Sequence, residues 1–179
     1  MDDLIDLCNG VPDVVWLSPP CQSYSCASMG HHRYKGEDGE LKPKTDFAKK
    51  SDELLKHSLH LLKELQKINP ELIYFIENPR AGMRTMKCME GLPRYTITYC
   101  AYTPEIPVEI RPAKPTDIWT NHPNPKFKPA CKNGAPCHAR APRGSRNGIQ
   151  GIKGAKQRAI IPKGLCKHIA DISEEYYQD

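Results

Sequence analysis

Between two short apolar runs, Val14-Val15-Trp16-Leu17 and Leu72-Ile73-Tyr74-Phe75-Ile76, lies a stretch from Asp46 to Ile68 with helical periodicity. Leu54, Leu55, Leu59, Leu62, Leu65 and Ile68 carry that period, Thr45 or Asp46 can cap the start, and Asn69-Pro70 stops it. Such a helix is about 35 Å long. The flanking runs are rich in β-branched and aromatic residues and bounded by proline, so both read as strands. The second run has no polar alternation, as expected of a strand covered on both faces. Strand, long helix, strand is a right-handed crossover unit, and it commits the chain to an α/β sheet.

Arg94-Tyr95-Thr96-Ile97-Thr98-Tyr99-Cys100 and Thr116-Asp117-Ile118-Trp119-Thr120 read as further strands, and a closing helix is expected from about Lys163 to Tyr177. Residues 121–157 are rich in Pro, Gly, Asn and basic side chains and have no period, so they read as a long functional loop. The segmentation expected is 1–120 for a catalytic α/β half, 121–157 for a basic loop-rich segment and 158–179 for a helix returning to the first part. With 179 residues and 39% apolar content, the chain has material for one core of moderate size. Its mean hydropathy of −0.62 and the lack of a long apolar run exclude a membrane-spanning helix. The acidic start, Met1-Asp2-Asp3-Leu4-Ile5-Asp6, is unlike a secretory signal, so a cytoplasmic location is expected and the eight cysteines should be thiols, metal ligands or nucleophiles.

The net charge of +5 is unevenly spread. Residues 111–168 hold 13 Lys and Arg against the single Asp117, a net of +12, whereas residues 1–110 hold 13 against 16 acids, a net of −3. A segment this basic attracts polyanions by counterion release, which makes double-stranded DNA the first partner to consider and a solvated basic loop the plain alternative.

Ligands of open α/β sheets bind past the carboxyl ends of strands, and both of the best strands end unusually. After the first comes Ser18-Pro19-Pro20-Cys21-Gln22-Ser23, a thiol on a loop stiffened by two prolines; after the second comes Glu77-Asn78-Pro79, a glutamate ending an apolar strand. A presented thiol and a partly desolvated acid, easier to protonate near neutral pH, form a pair suited to covalent catalysis. Apart, each motif is also an ordinary turn or strand terminator.

These motifs resemble the DNA (cytosine-5) methyltransferases. Thr98-Tyr99-Cys100, Lys114-Pro115-Thr116-Asp117-Ile118-Trp119-Thr120-Asn121, Ala141-Pro142-Arg143-Gly144-Ser145 and Arg158-Ala159-Ile160-Ile161-Pro162 look like the small phage-type members. The resemblance implies a doubly wound, Rossmann-like methyltransferase sheet, here partial, with S-adenosylmethionine as methyl donor and DNA as substrate, in restriction-modification or phage genome modification. It implies that Cys21 attacks carbon 6 of a flipped-out cytosine, that Glu77, with Asn78 beside it, holds ring nitrogen 3, and that carbon 5 then takes the methyl group. Pro20 and Asp6 are the residues it places toward the cofactor. Gln22, Ser23, Arg111, Lys114, Arg140, Arg143 and Arg146 are those it places toward DNA, Arg111 and Lys114 near the flipped base.

The chain departs from that family in lacking its Phe-x-Gly-x-Gly turn and first ribose-binding acid. Three explanations compete: half of a split enzyme whose partner chain supplies the glycine-rich half, a truncated enzyme, or a degenerate, non-catalytic DNA-binding module. Within the basic segment, Cys131, Cys137 and His138 are candidate ligands for a structural zinc ion, with Cys100, His122 and Cys166 as distant candidates for a fourth; plain loop thiols are the alternative. Cys26 is expected to be a buried packing thiol.

Overall fold

The computed structural model describes residues 10–140 and 159–178. Its elements in chain order are β1 (Val14–Leu17), α1 (Met29–His32), β2 (Arg33–Lys35), β3 (Leu41–Pro43), α2 (Asp46–Ile68), β4 (Ile73–Pro79), β5 (Arg94–Thr98), β6 (Pro115–Thr120) and α3 (Lys163–Gln178). Short 3-10 turns occupy Gly82–Thr85, Lys87–Met89 and Tyr99–Tyr102.

The long helix forms where its period places it. The Thr45 side chain accepts from the Ala48 amide, which caps the first turn, and Asn69 closes the last turn with its amide on the Leu65 carbonyl at 2.8 Å. The Asn69 side chain then donates to the Pro12 carbonyl at 3.3 Å and to Asp13 Oδ1 at 3.1 Å, while the Ile73 amide donates to the Asp13 carbonyl at 2.9 Å. The chain leaving α2 is thus fastened beside the entry to β1, and β4 pairs parallel with it, Val14 opposite Ile73 through Leu17 opposite Ile76.

The sheet order is β1-β4-β6-β5, and both later pairings, β4 with β6 and β5 with β6, are antiparallel. Asn121, just past β6, seals the β4 end: it donates to the Leu72 carbonyl and accepts from the Tyr74 amide, both at 2.8 Å. Alternate residues of β4 feed two cores. Tyr74 and Ile76 pack with Leu55, Leu62 and Leu65 of α2 and with Trp119. Ile73 and Phe75 pack on the other face with Ile97, Ile118 and Leu165, Ile169 and Ile172 of α3. The expected α/β class and double coverage of β4 therefore hold, each such side chain contributing about 1.5–3 kcal/mol of transfer free energy. At the start of α3, Gly164 faces the Tyr102 carbonyl so closely that a Cβ there would collide with it.

The structure departs from the sequence reading at two strand ends and in one ribbon. β4 does not stop at Ile76 but continues through Pro79, because β6 supplies ladder partners for Glu77 (Ile118) and Asn78 (Asp117). β5 stops at Thr98, and Tyr99-Cys100 turn away in a 3-10 turn rather than extending the strand. The antiparallel ribbon of β2 and β3, closed by Gly36–Gly39, was not anticipated; three-residue strands carry too few alternations to be legible. Residues 121–140 contain no helix or strand, as expected of the first part of the basic loop.

Candidate active site

The loop after β1 is built from within. The Cys21 carbonyl accepts from the amides of Tyr24 (3.0 Å) and Ser25 (2.8 Å), which folds the chain into a tight turn directly after the thiol. Ahead of the thiol, Asn78 Nδ2 donates to the Pro19 carbonyl at 2.9 Å and ties the proline pair to the end of β4. Behind it, Arg33 holds a buried knot: its Nε donates to the Ser23 carbonyl and one guanidinium nitrogen to Ser23 Oγ, both at 2.9 Å. The same guanidinium grips both oxygens of Asp52 on α2, at 2.6 and 3.1 Å, and lies 4.0 Å from the centre of the Tyr24 ring. The Tyr24 hydroxyl completes the knot on Asp52 Oδ1 at 2.7 Å. Ser23, expected to face DNA, is instead fully buried, its polar atoms spent on Arg33; Gln22 beside it is exposed.

Glu77 is 6% exposed and points to the same place. The Tyr99 hydroxyl donates to Glu77 Oε1 at 2.8 Å, and Lys114 Nζ lies 3.9 Å from that oxygen and 4.6 Å from the centre of the Tyr99 ring. Burial pushes the Cys21 thiol above its usual range; the Lys114 ammonium pulls it back, and the Glu77 carboxylate adds to the rise. Burial likewise lowers Lys114, against the pull of Glu77 and Cys21. Cys21, Glu77 and Lys114 thus form one electrostatic unit at the ends of β1 and β4, with Asn78 and Tyr99 as its supports. Asn78 Oδ1 is buried and has no hydrogen-bond partner among the described residues.

Tyr99 and Arg33 were missed in the sequence. Tyr99 reaches Glu77 because its amide bonds the Lys114 carbonyl at 3.2 Å, a juxtaposition that depends on β5 and β6 being neighbours. Arg33 is isolated from both motifs and carries no local signal. A cleft of about 700 Å³ between the β2–β3 ribbon and the 3-10 turns is lined by neither Cys21 nor Glu77, so it lies apart from this chemistry.

The other expected residues separate into groups. Pro20 is half-buried next to Cys21. Arg111 is not at the thiol and acid: its guanidinium is engaged by the carbonyls of Pro104 (3.0 Å), Ile106 (2.8 Å) and Cys137 (3.1 Å), bracing one loop against another. Arg140 is exposed. Asp6, Arg143 and Arg146 lie outside the described residues. Cys26 is exposed, not a packing thiol, because the turn after Cys21 points it outward. In α1, His32 Nδ1 lies 2.9 Å from Thr45 Oγ1 and so links the loop to the cap of α2.

A second cluster lies beyond Tyr99. Cys131, Cys137 and His138 do come together, and the residue that joins them is Cys100, the most distant in sequence. His122 is elsewhere, against the Ile172 carbonyl at 3.1 Å, and Cys166 is exposed on α3.

Among the described residues no helix is long and apolar enough to cross a membrane. No family model matches the chain, and no solved structure matches it. The chain is similar to a protein described as a probable DNA (cytosine-5)-methyltransferase from Frog virus 3 (isolate Goorha), with 32% identity over 111 residues. That match takes in 61% of this chain and 46% of the viral protein, so the similarity spans less than half the length of its relative.

Proposed function

We propose that the chain carries the base-attacking half of a DNA (cytosine-5) methyltransferase. The observation that carries this reading is the convergence of Cys21, Glu77 and Lys114 at the ends of two parallel strands, in a chain similar to a protein of that description. A partial doubly wound methyltransferase sheet would then use the crevice beyond β1 and β4.

In this reading a cytosine swung out of the duplex enters above Glu77. The Cys21 thiol gives its proton to solvent water and its sulfur bonds to carbon 6, pushing the electron pair of the 5,6 double bond onto carbon 5. Glu77 holds ring nitrogen 3 and favours the charge that develops there, with Lys114 balancing the thiolate and the carboxylate in turn. S-adenosylmethionine would supply the methyl group that carbon 5 takes. Loss of the carbon-5 proton to a base re-forms the double bond and expels the Cys21 thiolate. The described residues fit the base side of this chemistry, where Glu77, Asn78, Tyr99 and Lys114 are in place. On the donor side they offer Pro20 alone, and β1 pairs with β4 and no other strand among them. The donor-binding half, whether from the same polypeptide or a second chain, would join at that open edge.

DNA with 2-pyrimidinone in place of the target cytosine tests the attack without a methyl donor, since that ring accepts a thiol at carbon 6 more readily. DNA with 5-fluorocytosine plus S-adenosylmethionine, with and without a glycine-rich partner segment, tests the whole transfer. A covalent adduct that is present in the native chain and absent in Cys21→Ala is expected. Salt-sensitive DNA binding with no adduct on either DNA would replace this reading by that of a non-catalytic DNA-binding module using the basic segment.

A further inference from the structure

We infer that Cys100, Cys131, Cys137 and His138 bind one structural zinc ion that fastens the basic loop to the catalytic sheet. The four candidate ligand atoms all lie within 4.8 Å of one another. Cys100 Sγ is 3.2 Å from Cys131 Sγ and 3.8 Å from Cys137 Sγ, and His138 Nδ1 is 3.4 Å and 3.3 Å from the two loop thiols. A tetrahedron with Zn–S of about 2.3 Å and Zn–N of about 2.0 Å has edges near 3.5–3.8 Å, so the Cys100–Cys137 contact and the two histidine contacts already match an edge closely. The Cys100–Cys131 pair must part by about half an ångström, and a set spread over as much as 4.8 Å must draw in at its widest, to enclose the ion. Three thiols and an imidazole suit zinc and reject magnesium or calcium. Four protein ligands also leave no open position, which makes the site structural rather than catalytic.

Both loop arms are anchored by bonds that do not involve the ligand atoms. The Cys131 amide donates to Thr98 Oγ1 at 3.2 Å, fixing that thiol beside the end of β5. Arg111 donates to the Cys137 carbonyl and accepts from the Ala139 amide at 3.0 Å, fixing the other arm. Between the arms the Ala135 amide bonds the Lys132 carbonyl at 3.1 Å in a turn where Gly134 has φ +88°, a conformation that glycine adopts without strain. His138 is 4% exposed in a segment, Lys128–Arg140, whose other residues are half-buried or exposed. A loop with so little apolar burial needs a cross-link to hold a histidine inside, and a metal provides one.

Loading the site releases the three thiol protons, and with Nδ1 on the metal the imidazole proton sits on Nε2. The Gly134 amide, now 3.3 Å from Nε2, must then turn away, a small shift within the glycine turn. Cys100 directly follows Tyr99, so the ion would anchor the residue that holds Glu77.

The inference is independent of the methyltransferase reading, because metal content is measured without DNA. The full chain, purified without chelator, is expected to hold close to one zinc per chain by elemental analysis. Cys131→Ser and Cys137→Ser are expected to lower that at least tenfold, while Cys26→Ser and Cys166→Ser, exposed thiols outside the cluster, leave it unchanged. Replacement by cobalt(II) should give the visible bands of a tetrahedral thiolate site, and His138→Cys should retain them, which separates ligand loss from unfolding. A full chain with neither zinc nor cobalt bands, zinc retained in the Cys131→Ser Cys137→Ser double variant, or a Cys100–Cys131 disulfide found by peptide mass spectrometry would each overturn it.

Discussion

At the scale of single residues, the balance at Cys21 decides reactivity. Burial and Glu77 favour the neutral thiol and Lys114 favours the thiolate, so in the absence of DNA the sulfur is held mostly protonated at neutral pH. Its alkylation rate should therefore keep rising with pH beyond the point where the thiol of a free cysteine reagent levels off. Lys114→Met removes the opposing charge of the ammonium, which raises the thiol further and slows Cys21 alkylation at pH 8 by a factor of several; mass-resolved iodoacetamide labelling of Cys21 measures both effects. Faster labelling in Lys114→Met would show that the ammonium blocks the thiol rather than charging it. The two candidate positions are legible in the sequence because the Pro-Pro-Cys and Glu-Asn-Pro signals are local. Their electrostatic partner Lys114 was placed only by the resemblance, and Tyr99 acquired its role from strand neighbours far apart in sequence.

At the scale of elements, the thiol loop depends on a helix it does not adjoin. Arg33, at the start of β2, is wholly buried and pairs with Asp52 of α2, so one ion pair joins the loop after β1, the ribbon and the long helix. Asp52→Ala would leave a buried guanidinium without its counterion and strand the Tyr24 hydroxyl, at a cost of about 3–5 kcal/mol. Urea denaturation is the measurement, and a loss under about 1 kcal/mol would mean that water replaces the carboxylate without consequence. The apolar period of α2 and the continuous burial of β4 follow from composition at fixed spacing, which is why both could be read from sequence. The continuation of β4 to Pro79 could not, because it depends on β6 arriving antiparallel beside it. Nor could the knot around Arg33, whose members are spread from Ser23 to Asp52.

At the scale of the molecule, the two halves of the proposed chemistry differ in how firmly they are built. Glu77 belongs to a strand paired on both sides and covered by a helix on each face, whereas Cys21 stands on a loop that reaches the core through Asn78, Tyr24 and Arg33. Local opening should thus begin at the thiol and leave the acid in place. Amide hydrogen exchange is expected to show the β4 backbone from Ile73 to Glu77 among the slowest sites and residues 22–28 among the fast ones; equal protection of the two would contradict this. Among the described residues β1 is paired on one side only, by β4, so the loop carrying Cys21 follows a strand braced from one side while Glu77 lies in one braced from both. In the proposed reaction the sulfur, not the carboxyl group, is then the part that travels.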